Sequence, residues 1–430
     1  MTAARPEAQL SGPAYLRLIL LAAAIGIPAA LVAALFLALV HWLEDRLWTD
    51  LPDRLGYDSA PWFLVIALPV VGAAVVVVAR TLLPGDGGHS PLAGIGGGVT
   101  PLRYAPGVAL AALGSLAFGA VLGPEAPLIA LGSAVGMAVT LLVRLGANEE
   151  RVLATAGSFS AISALFGGPL VAGMLLLEGS VGLGAAAIPA LLPGLVSAGV
   201  GYLIFIGFGD WGGIAAQAIT VPNLPAYEGT TIGDIPVGLS VGVVVALLVA
   251  GVRRVAVRVD DARGKRLSMP VLLLAGGLAV GILAELADAF GADSHEILFS
   301  GQAAVPEILA EDSAAIVVLV IVAKAIGYAI CLGCGFRGGP VFPAIFLGVA
   351  AATLAVIAFD VSPTLAVAVG AAAGMAAATR LLFASVLFSA LLVGTPGIET
   401  VSAAVFAAAT AWLTTMALDR RRAAAAPTPA

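Results

Sequence analysis

Two stretches of the chain share one ten-residue skeleton, G-P-x-x-P-x-x-x-L-G. The first runs from Gly123 to Gly132 and the second from Gly339 to Gly348. A helix cannot continue through Gly-Pro without losing backbone hydrogen bonds, but it can begin there with proline in its first turn. The N–H groups of a first turn are unpaired and lie at the positive end of the helix dipole. Each skeleton therefore predicts a helix start that can bind an anion without a basic side chain.

The predicted anion site takes groups from both skeletons and from a third, glycine-rich loop. The skeleton residues that we assign to it are Gly123, Pro124, Ala126, Pro127, Gly339, Pro340, Val341 and Phe342. In the loop at 87–91, which reads Gly-Gly-His-Ser-Pro, Gly88 can add an N–H group and Ser90 a hydroxyl group. Electrostatic attraction is strong where apolar surroundings screen charge weakly. Two helix starts aimed at one point would therefore hold a small anion such as chloride.

Glu125 occupies the first turn of the first skeleton, where the anion should bind. An ionised carboxylate would satisfy the same N–H groups and would compete with the anion, whereas a protonated one would be released. Function is the default interpretation of an ionisable group inside a membrane. We therefore predict that Glu125 is a gate. The alternative is a structural glutamate that caps its own helix.

The elements that must position these groups are membrane helices. Of the 430 residues, 60% are hydrophobic and 11% are charged, and the mean hydropathy is +1.08. No soluble domain of this length has so little charge. Leu18 to Val40 contains no charged residue and predicts the first membrane helix. The cell membrane is the predicted location and membrane lipid the predicted surroundings.

The fold class that we predict is an all-α polytopic membrane protein, an inverted repeat of tilted and half-membrane helices. Interrupted hydrophobic segments at corresponding positions of two halves are typical of transporters built from an inverted repeat. The repeat continues beyond the skeletons, because Ala156-Gly157 and Ala373-Gly374 follow them with an offset of 217 residues, against 216 for the skeletons. We predict four parts, in chain order: a first half-repeat at 14–207, a linker at 208–235, a second half-repeat at 236–418 and a tail at 419–430.

Basic residues predict the orientation. Arg253 to Arg266 contains six lysines or arginines, and Arg420 to Arg422 follow the last apolar segment. Loops rich in lysine and arginine face the cytoplasm. With Arg5 and Arg17 near the start, this rule predicts that both termini are cytoplasmic. The net charge is −6, and the basic residues form no continuous stripe. We therefore predict no nucleic-acid partner.

Five further residues carry an ionisable or thiol side chain in or beside an apolar segment. Glu178 ends an apolar helix and is either a solvated helix end or a proton-path residue. Lys324, inside an apolar helix, can snorkel to the surface, pair with a carboxylate or attract the anion, and the same roles are open to Arg337. For both residues we favour structural pairing. Cys331 and Cys334 form C-x-x-C without nearby histidines, so we interpret them as small residues at a helix interface.

These motifs resemble those of the CLC family of chloride channels and chloride/proton exchangers. The stretch 121–127 resembles the family signature G-[KR]-E-G-P, and 338–343 resembles G-x-F-x-P. The loop at 87–91 resembles the family's G-S-G-I-P loop, and 166–178 resembles the segment after the first signature. The resemblance implies two inverted halves, a homodimer and one anion pathway in each subunit.

Several positions depart from the family pattern. Pro124 replaces the basic residue of the first signature, Ala126 its second glycine, and Gly88 the serine that often contacts the anion. Gly179 stands where the internal proton glutamate is expected. The last tyrosine is Tyr328, so the family's C-terminal tyrosine has no counterpart. The resemblance thus supports roles for Glu125 and the helix starts, but not the usual inner proton site.

The predicted function is chloride transport through a channel of the voltage-gated chloride channel type, with Glu125 as its gate. Two alternatives remain open: a chloride/proton antiporter with a different inner proton path, and a fluoride-selective relative. An intramembrane protease would need a Ser–His pair, an Asp pair or zinc ligands. Because His89 and Ser90 are merely adjacent and no H-E-x-x-H occurs, we predict no enzyme, no metal and no cofactor.

Overall fold

A computed structural model describes residues 12–96, 98–143, 145–179, 188–212, 220–263 and 267–425. Arg5, part of the predicted linker and the end of the predicted tail lie outside the described residues. Within this part the chain is helical. The helices before the linker are α1 (Gly12–Asp45), α2 (Leu51–Leu55), α3 (Trp62–Leu82), α4 (Ala105–Leu116), α5 (Glu125–Val143), α6 (Ala147–Leu165), α7 (Pro169–Gly179) and α8 (Ile188–Gly212). The helices after it are α9 (Asp234–Asp261), α10 (Met269–Ala289), α11 (Ser294–Ile297), α12 (Val305–Ala310), α13 (Ala314–Cys334), α14 (Val341–Phe359), α15 (Pro363–Thr379), α16 (Phe383–Val393) and α17 (Val401–Ala425).

Nine of the described helical segments are long and apolar enough to cross a membrane. The first spans Gly12–Leu55 and includes the predicted helix at 18–40. Other apolar helices are too short. At 1.5 Å per residue, the 11 residues of α7 and of α16 reach about half of a ~30 Å hydrocarbon core. The chain is thus a multi-pass membrane protein with full and partial helices, as predicted.

The last glycine of each skeleton lets its helix touch the next one. A Cβ atom on Gly132 of α5 would lie 2.3 Å from the carbonyl oxygen of Gly157 in α6. A Cβ atom on Gly348 of α14 would lie 2.1 Å from the carbonyl oxygen of Gly370 in α15. Neither helix pair could pack this closely with a side chain at these positions. The α5–α6 and α14–α15 pairs are therefore equivalent structures in the two halves.

The described part of the predicted linker is attached to the second half of the chain. The backbone N–H of Val221 donates to the carbonyl of Leu392, and that of Tyr227 donates to the carbonyl of Pro396, both at 2.9 Å. The Tyr227 hydroxyl donates to Asp234 at the start of α9, at 2.6 Å. Burial and this bond raise the pKa of Tyr227 to about 12. The division into four parts stays a prediction.

Helix directions define two sides of the molecule. The end of α3, the end of α9 and the turn before α14 come together, because Arg80 donates to the carbonyl of Gly335 at 2.9 Å and a Cβ atom on Gly335 would lie 3.7 Å from Arg263. We call this the basic side. Since α10 starts near the end of α9 and α13 returns to Gly335, the segment 290–312 lies on the opposite side.

Candidate anion site

The two skeletons meet at the centre of the protein. The N–H of Gly123 donates to the carbonyl of Gly339 at 2.8 Å, and the N–H of Gly339 donates to that of Gly123 at 2.5 Å. This antiparallel bridge joins the two residues that precede Pro124 and Pro340. The helices begin just after each proline, α5 at Glu125 and α14 at Val341. Both predicted helix starts are confirmed, and the bridge brings them to one place.

The Glu125 carboxylate lies at the helix start of the other half. Its Oε1 atom accepts a hydrogen bond from the N–H of Val341. The N–H groups of Phe342 and of Glu125 itself also bond to this carboxylate. Glu125 is fully buried, and its Oε2 atom has no hydrogen-bond partner among the described residues. The carboxylate therefore occupies the N–H groups that the sequence assigns to an anion.

The first glycine of each skeleton leaves room for this carboxylate. A Cβ atom on Gly123 would lie 2.1 Å from Oε2 of Glu125, and one on Gly339 would lie 2.0 Å from its Cδ atom. Real Cβ atoms do not come so close to other heavy atoms. Glu125 could not occupy its position if either glycine carried a side chain.

A large cavity reaches this centre from the side opposite the basic side. Its volume is about 350 Å³, and Pro124, Phe342 and Phe346 lie in its wall. We call it the aromatic cavity, because Phe342, Phe346 and Phe388 lie in its wall. Behind the wall, Phe166 packs on Phe342 and Phe388 with centroids 5.8 and 5.5 Å apart. Polar groups enter its wall from α1 and from the segment 290–312, among them those of His41, Glu44 and His295. An ion could approach the start of α14 through it.

A much smaller cavity lies on the basic side. Its volume is about 10 Å³, close to the space that one water molecule needs. Tyr328, Pro340, Leu92 and Arg253 line it. The Tyr328 hydroxyl is buried and donates to the Pro340 carbonyl at 2.5 Å. We call it the tyrosine cavity.

Sequence reasoning gave Tyr328 no role. One signal was available, because a tyrosine inside an apolar helix needs a partner for its O–H group. The partner, Pro340, belongs to the second skeleton. Only the packing of α13 against the start of α14 brings the two together.

A third cavity reaches the first turn of α5 on its other face. Its volume is about 220 Å³, and its wall includes Gly88, His89 and Ala126. We call it the glycine cavity. Here the N–H of Gly88 donates to the carbonyl of Gly85 at 2.9 Å, so it is already paired. Ser90 lies between His89 of this cavity and Pro91 of the tyrosine cavity.

Glu178 binds a helix start in the other half of the chain. Its Oε1 atom accepts hydrogen bonds from the N–H groups of Leu382 at 2.8 Å and Phe383 at 2.9 Å. Its Oε2 atom accepts one from Ala384 at 2.7 Å. The carboxylate therefore caps α16, a role that differs from both interpretations of the sequence. The next residue, Gly179, has no side chain that could carry a proton.

Lys324 is fully buried and bonds to main-chain oxygens. Its Nζ atom donates to the carbonyls of Glu296 at 2.6 Å and Leu298 at 2.8 Å, and lies 4.5 Å from the Phe346 ring centroid. Lys324 thus does not snorkel to the surface. It is structurally paired, as we favoured, but with carbonyl groups. Burial of the Glu296 carboxyl and, second, repulsion by the charge of Asp293 together raise the pKa of Glu296 to about 7.

Arg337 is paired with a carboxylate on the basic side, which confirms the expected structural pairing. Its guanidinium donates to the Asp86 carbonyl at 2.9 Å and to the Asp86 carboxylate at 2.5 Å. Arg80 binds the same carboxylate at 2.9 Å. Burial and the neighbouring Arg80 lower the pKa of Arg337 to about 10. It therefore keeps its charge at neutral pH.

Both cysteines pack between helices. The sulphur of Cys331 accepts a hydrogen bond from the N–H of Val121 at 3.2 Å. The sulphur of Cys334 packs against Gly276 of α10, so closely that a Cβ atom added to this glycine would lie 2.7 Å from it. Both are buried and unbonded to each other. Within the described ranges, no group of three or more metal-binding side chains is present.

Comparison with known proteins identifies the family. The family model described as "Voltage gated chloride channel" matches residues 89–415. Proteins named "Putative ion-transport protein YfeO" from Escherichia coli (strain SMS-3-5 / SECEC) and Shigella boydii serotype 4 are 31% identical over 344 residues, 76% of each chain. The chain belongs to this family, the CLC family, and its function is anion transport across a membrane.

Solved structures share the fold. A CLC-type fluoride/proton antiporter matches with a TM-score of 0.75 and 20% identity, over 95% of this chain and 98% of that one. A slow cyanobacterial Cl⁻/H⁺ antiporter matches with a TM-score of 0.73 and 17% identity, over 94% and 95%. At these identities the likeness establishes the CLC fold with its inverted halves.

Proposed function

We propose that the protein conducts chloride through a gated pathway in which Glu125 is the gate. The observation that carries this proposal is the position of its carboxylate, which binds the N–H of Val341 at the start of α14. A helix start of this kind is a site for an anion. While Glu125 is ionised and bound there, chloride is excluded.

Protonation supplies the opening step. Hydrogen bonds to an ionised group are roughly twice as strong as those between neutral groups, so a protonated carboxyl binds the helix start less tightly. Burial of the unpaired Oε2 atom adds a cost that departure of the side chain relieves. A chloride ion then takes the N–H groups of Val341 and Phe342. The pathway continues into the aromatic cavity on one side and the tyrosine cavity on the other.

We favour passive conduction over exchange for protons. Exchange needs an inner group that passes protons to Glu125. Gly179 stands at the usual position, and the carboxylate of Glu178 is held by three N–H groups of α16. A chloride/proton antiporter and a fluoride-selective relative stay as alternatives, since the structures with the same fold include both kinds of antiporter.

The assembly and orientation belong to the same proposal. We propose a homodimer in the cell membrane, with one pathway in each subunit and both termini in the cytoplasm. The basic side is the cytoplasmic one under the positive-inside rule. His41, near the end of α1, lines the aromatic cavity on the opposite side, which puts the start of α1 on the basic side.

The test is chloride efflux from proteoliposomes with internal pH recorded in parallel. Glu125→Gln keeps the size of the side chain but removes its charge. We expect constitutive efflux, about tenfold faster than wild type, which corresponds to ~1.4 kcal/mol. Glu228→Gln, an exposed glutamate in the described part of the linker, is the matched control and should leave efflux unchanged.

Two results would contradict the proposal. Efflux that Glu125→Gln leaves at the wild-type rate would exclude Glu125 as the gate. Proton uptake against its gradient, driven by chloride, would replace the channel by the antiporter. Its loss in Glu178→Gln would identify that carboxylate as the inner proton group.

A further inference from the structure

The tyrosine cavity lies directly behind the anion site. The Pro340 carbonyl, which accepts the hydrogen bond of Tyr328, and the Val341 N–H, which binds Glu125, belong to one peptide unit. In a planar trans peptide these two groups point in opposite directions. Tyr328 and the gate therefore lie on opposite sides of a single peptide bond, with the tyrosine cavity on the basic side of it.

Arg253 of α9 lies in the wall of this cavity, one helical turn after Val249, which lines it too. The Arg253 guanidinium donates to the carbonyl of Leu92, also in the wall, at 3.4 Å. Its charge acts on the Tyr328 hydroxyl, as does the charge of Glu125. Among the described residues of this wall, Arg253 has the one charged side chain.

Arg253 differs from its neighbours on the basic side, because it has no carboxylate partner. Three other arginines of this side each bind one: Arg80 and Arg337 bind Asp86, and Arg263 binds Asp260. No ion pair of Arg253 occurs within the described ranges, although its side chain is half-buried. The charge of Arg253 is therefore left for a ligand.

An anion in the tyrosine cavity would need such a charge. The cavity volume of about 10 Å³ is close to the space of one water molecule, so a chloride ion there keeps little of its hydration. An ion that loses water is costly to place unless an opposite charge is near, and attraction is strong where charge is weakly screened. A guanidinium has several N–H donors, and Leu92 takes up one of them.

We propose that Arg253 supplies the positive charge that draws chloride from the solution on the basic side into the tyrosine cavity and compensates for the water that the ion loses there. The ion binds transiently to guanidinium N–H groups that Leu92 does not use. Arg253 thus sets how readily an anion enters, whereas Glu125 sets whether the pathway is open. This proposal rests on the proposed function of Glu125 as the gate.

The experiment measures chloride efflux from proteoliposomes in the Glu125→Gln background, in which the gate is open. Arg253→Gln removes the charge but keeps an N–H donor for the Leu92 carbonyl. At about 10 mM chloride it should slow efflux about tenfold, and at about 300 mM only about twofold, because salt screens the lost attraction. Arg253→Lys keeps the charge and should stay within about twofold of the background. Arg254→Gln, an exposed neighbour on α9, is the matched control and should leave efflux unchanged.

A second pair of variants leaves Arg253 in place, so that the test does not depend on the folding of Arg253→Gln. Leu92→Glu adds a carboxylate in the wall of the same cavity, where it should neutralise the guanidinium. Leu92→Gln has the same size and no charge. At about 10 mM chloride, efflux through Leu92→Glu should be about tenfold slower than through Leu92→Gln.

Three results would overturn the role of Arg253 while the gate stands. These are efflux through Arg253→Gln at the background rate, a deficit that is the same at both chloride concentrations, and efflux through Arg253→Lys as slow as through Arg253→Gln. The last two would show that the shape of the side chain matters and its charge does not. If Glu125→Gln itself conducts no faster than wild type, the proposed function falls and the role of Arg253 with it.

Discussion

The starts of α14 and α16 each receive a glutamate from the first half of the chain, but they bind it differently. At α16, three N–H groups hold both oxygen atoms of Glu178. At α14, Glu125 is completely enclosed, yet one of its oxygen atoms has no partner in the described part of the protein. Among the described residues, both oxygen atoms of the glutamate are hydrogen-bonded at α16, whereas only one of them is at α14.

The difference separates a structural cap from a group that can leave. A carboxylate with all its hydrogen bonds made loses them all if it moves, so it stays in place. A buried oxygen atom without a partner carries a cost that is relieved when the side chain moves or takes up a proton. We therefore expect changes at α14 to alter transport, and changes at α16 to alter stability.

The largest expected effect comes from removing the space that Glu125 occupies. In Gly339→Ala, the new methyl group would overlap the carboxylate, because it would lie 2.0 Å from the Cδ atom of Glu125. The side chain must leave, so chloride efflux should rise about tenfold, as in Glu125→Gln, with the same ~1.4 kcal/mol conversion. Efflux from proteoliposomes measures it.

Two controls sharpen this prediction. Gly251→Ala changes a glycine of α9 that has nothing within 4 Å of an added Cβ atom, and it should leave efflux unchanged. In a Glu125→Ala background, Gly339→Ala should add no further increase, because no carboxylate remains to be displaced. A further increase there would show that Gly339 acts on the pathway independently of Glu125.

The cap at α16 should respond in the opposite way. In Glu178→Gln, the amide nitrogen cannot accept a hydrogen bond, so at least one N–H group at this helix start loses its acceptor. We expect a loss of about 1–3 kcal/mol in stability, measured by thermal unfolding in detergent, with unchanged chloride efflux. A normal melting temperature together with altered proton movement would make Glu178 a transport residue instead.

The smallest effect should come from a change in the tyrosine cavity, on the basic side of Glu125. Tyr328→Phe removes the hydrogen bond to Pro340 but keeps the ring. We expect chloride efflux in a Glu125→Gln background to rise about two- to fivefold, because the hydrogen bond that narrows the cavity, worth roughly 1 kcal/mol, is lost. Slower efflux would mean that the hydroxyl donates to the passing anion. Tyr57→Phe, an exposed tyrosine, is the matched control.

Bound bromide offers a structural check of the same comparison. A crystal of Glu125→Gln soaked in bromide should show anomalous density near the N–H groups of Val341 and Phe342, where the carboxylate no longer competes. The start of α16 should stay without density, because Glu178 fills it. Density at α16 alone would place the anion site elsewhere.

The sequence by itself determined the membrane class, the two helix starts, the family and the position of Glu125 in a first turn. Each of these is a local property. Hydropathy, the ring of proline and the missing side chain of glycine act on their own few residues, wherever the segment lies in the fold. For that reason Gly-Pro at 123–124 and at 339–340 predicted α5 and α14 correctly.

Only the tertiary structure decided which groups meet. It placed Glu125 on the N–H of Val341 rather than on its own helix start alone, and it turned Glu178 into the cap of α16. It gave Lys324 carbonyl partners and brought Tyr328 to Pro340. Hydrogen-bonding capacity is visible in a sequence, but the choice among distant partners depends on how whole helices pack, and no short stretch of residues contains that information.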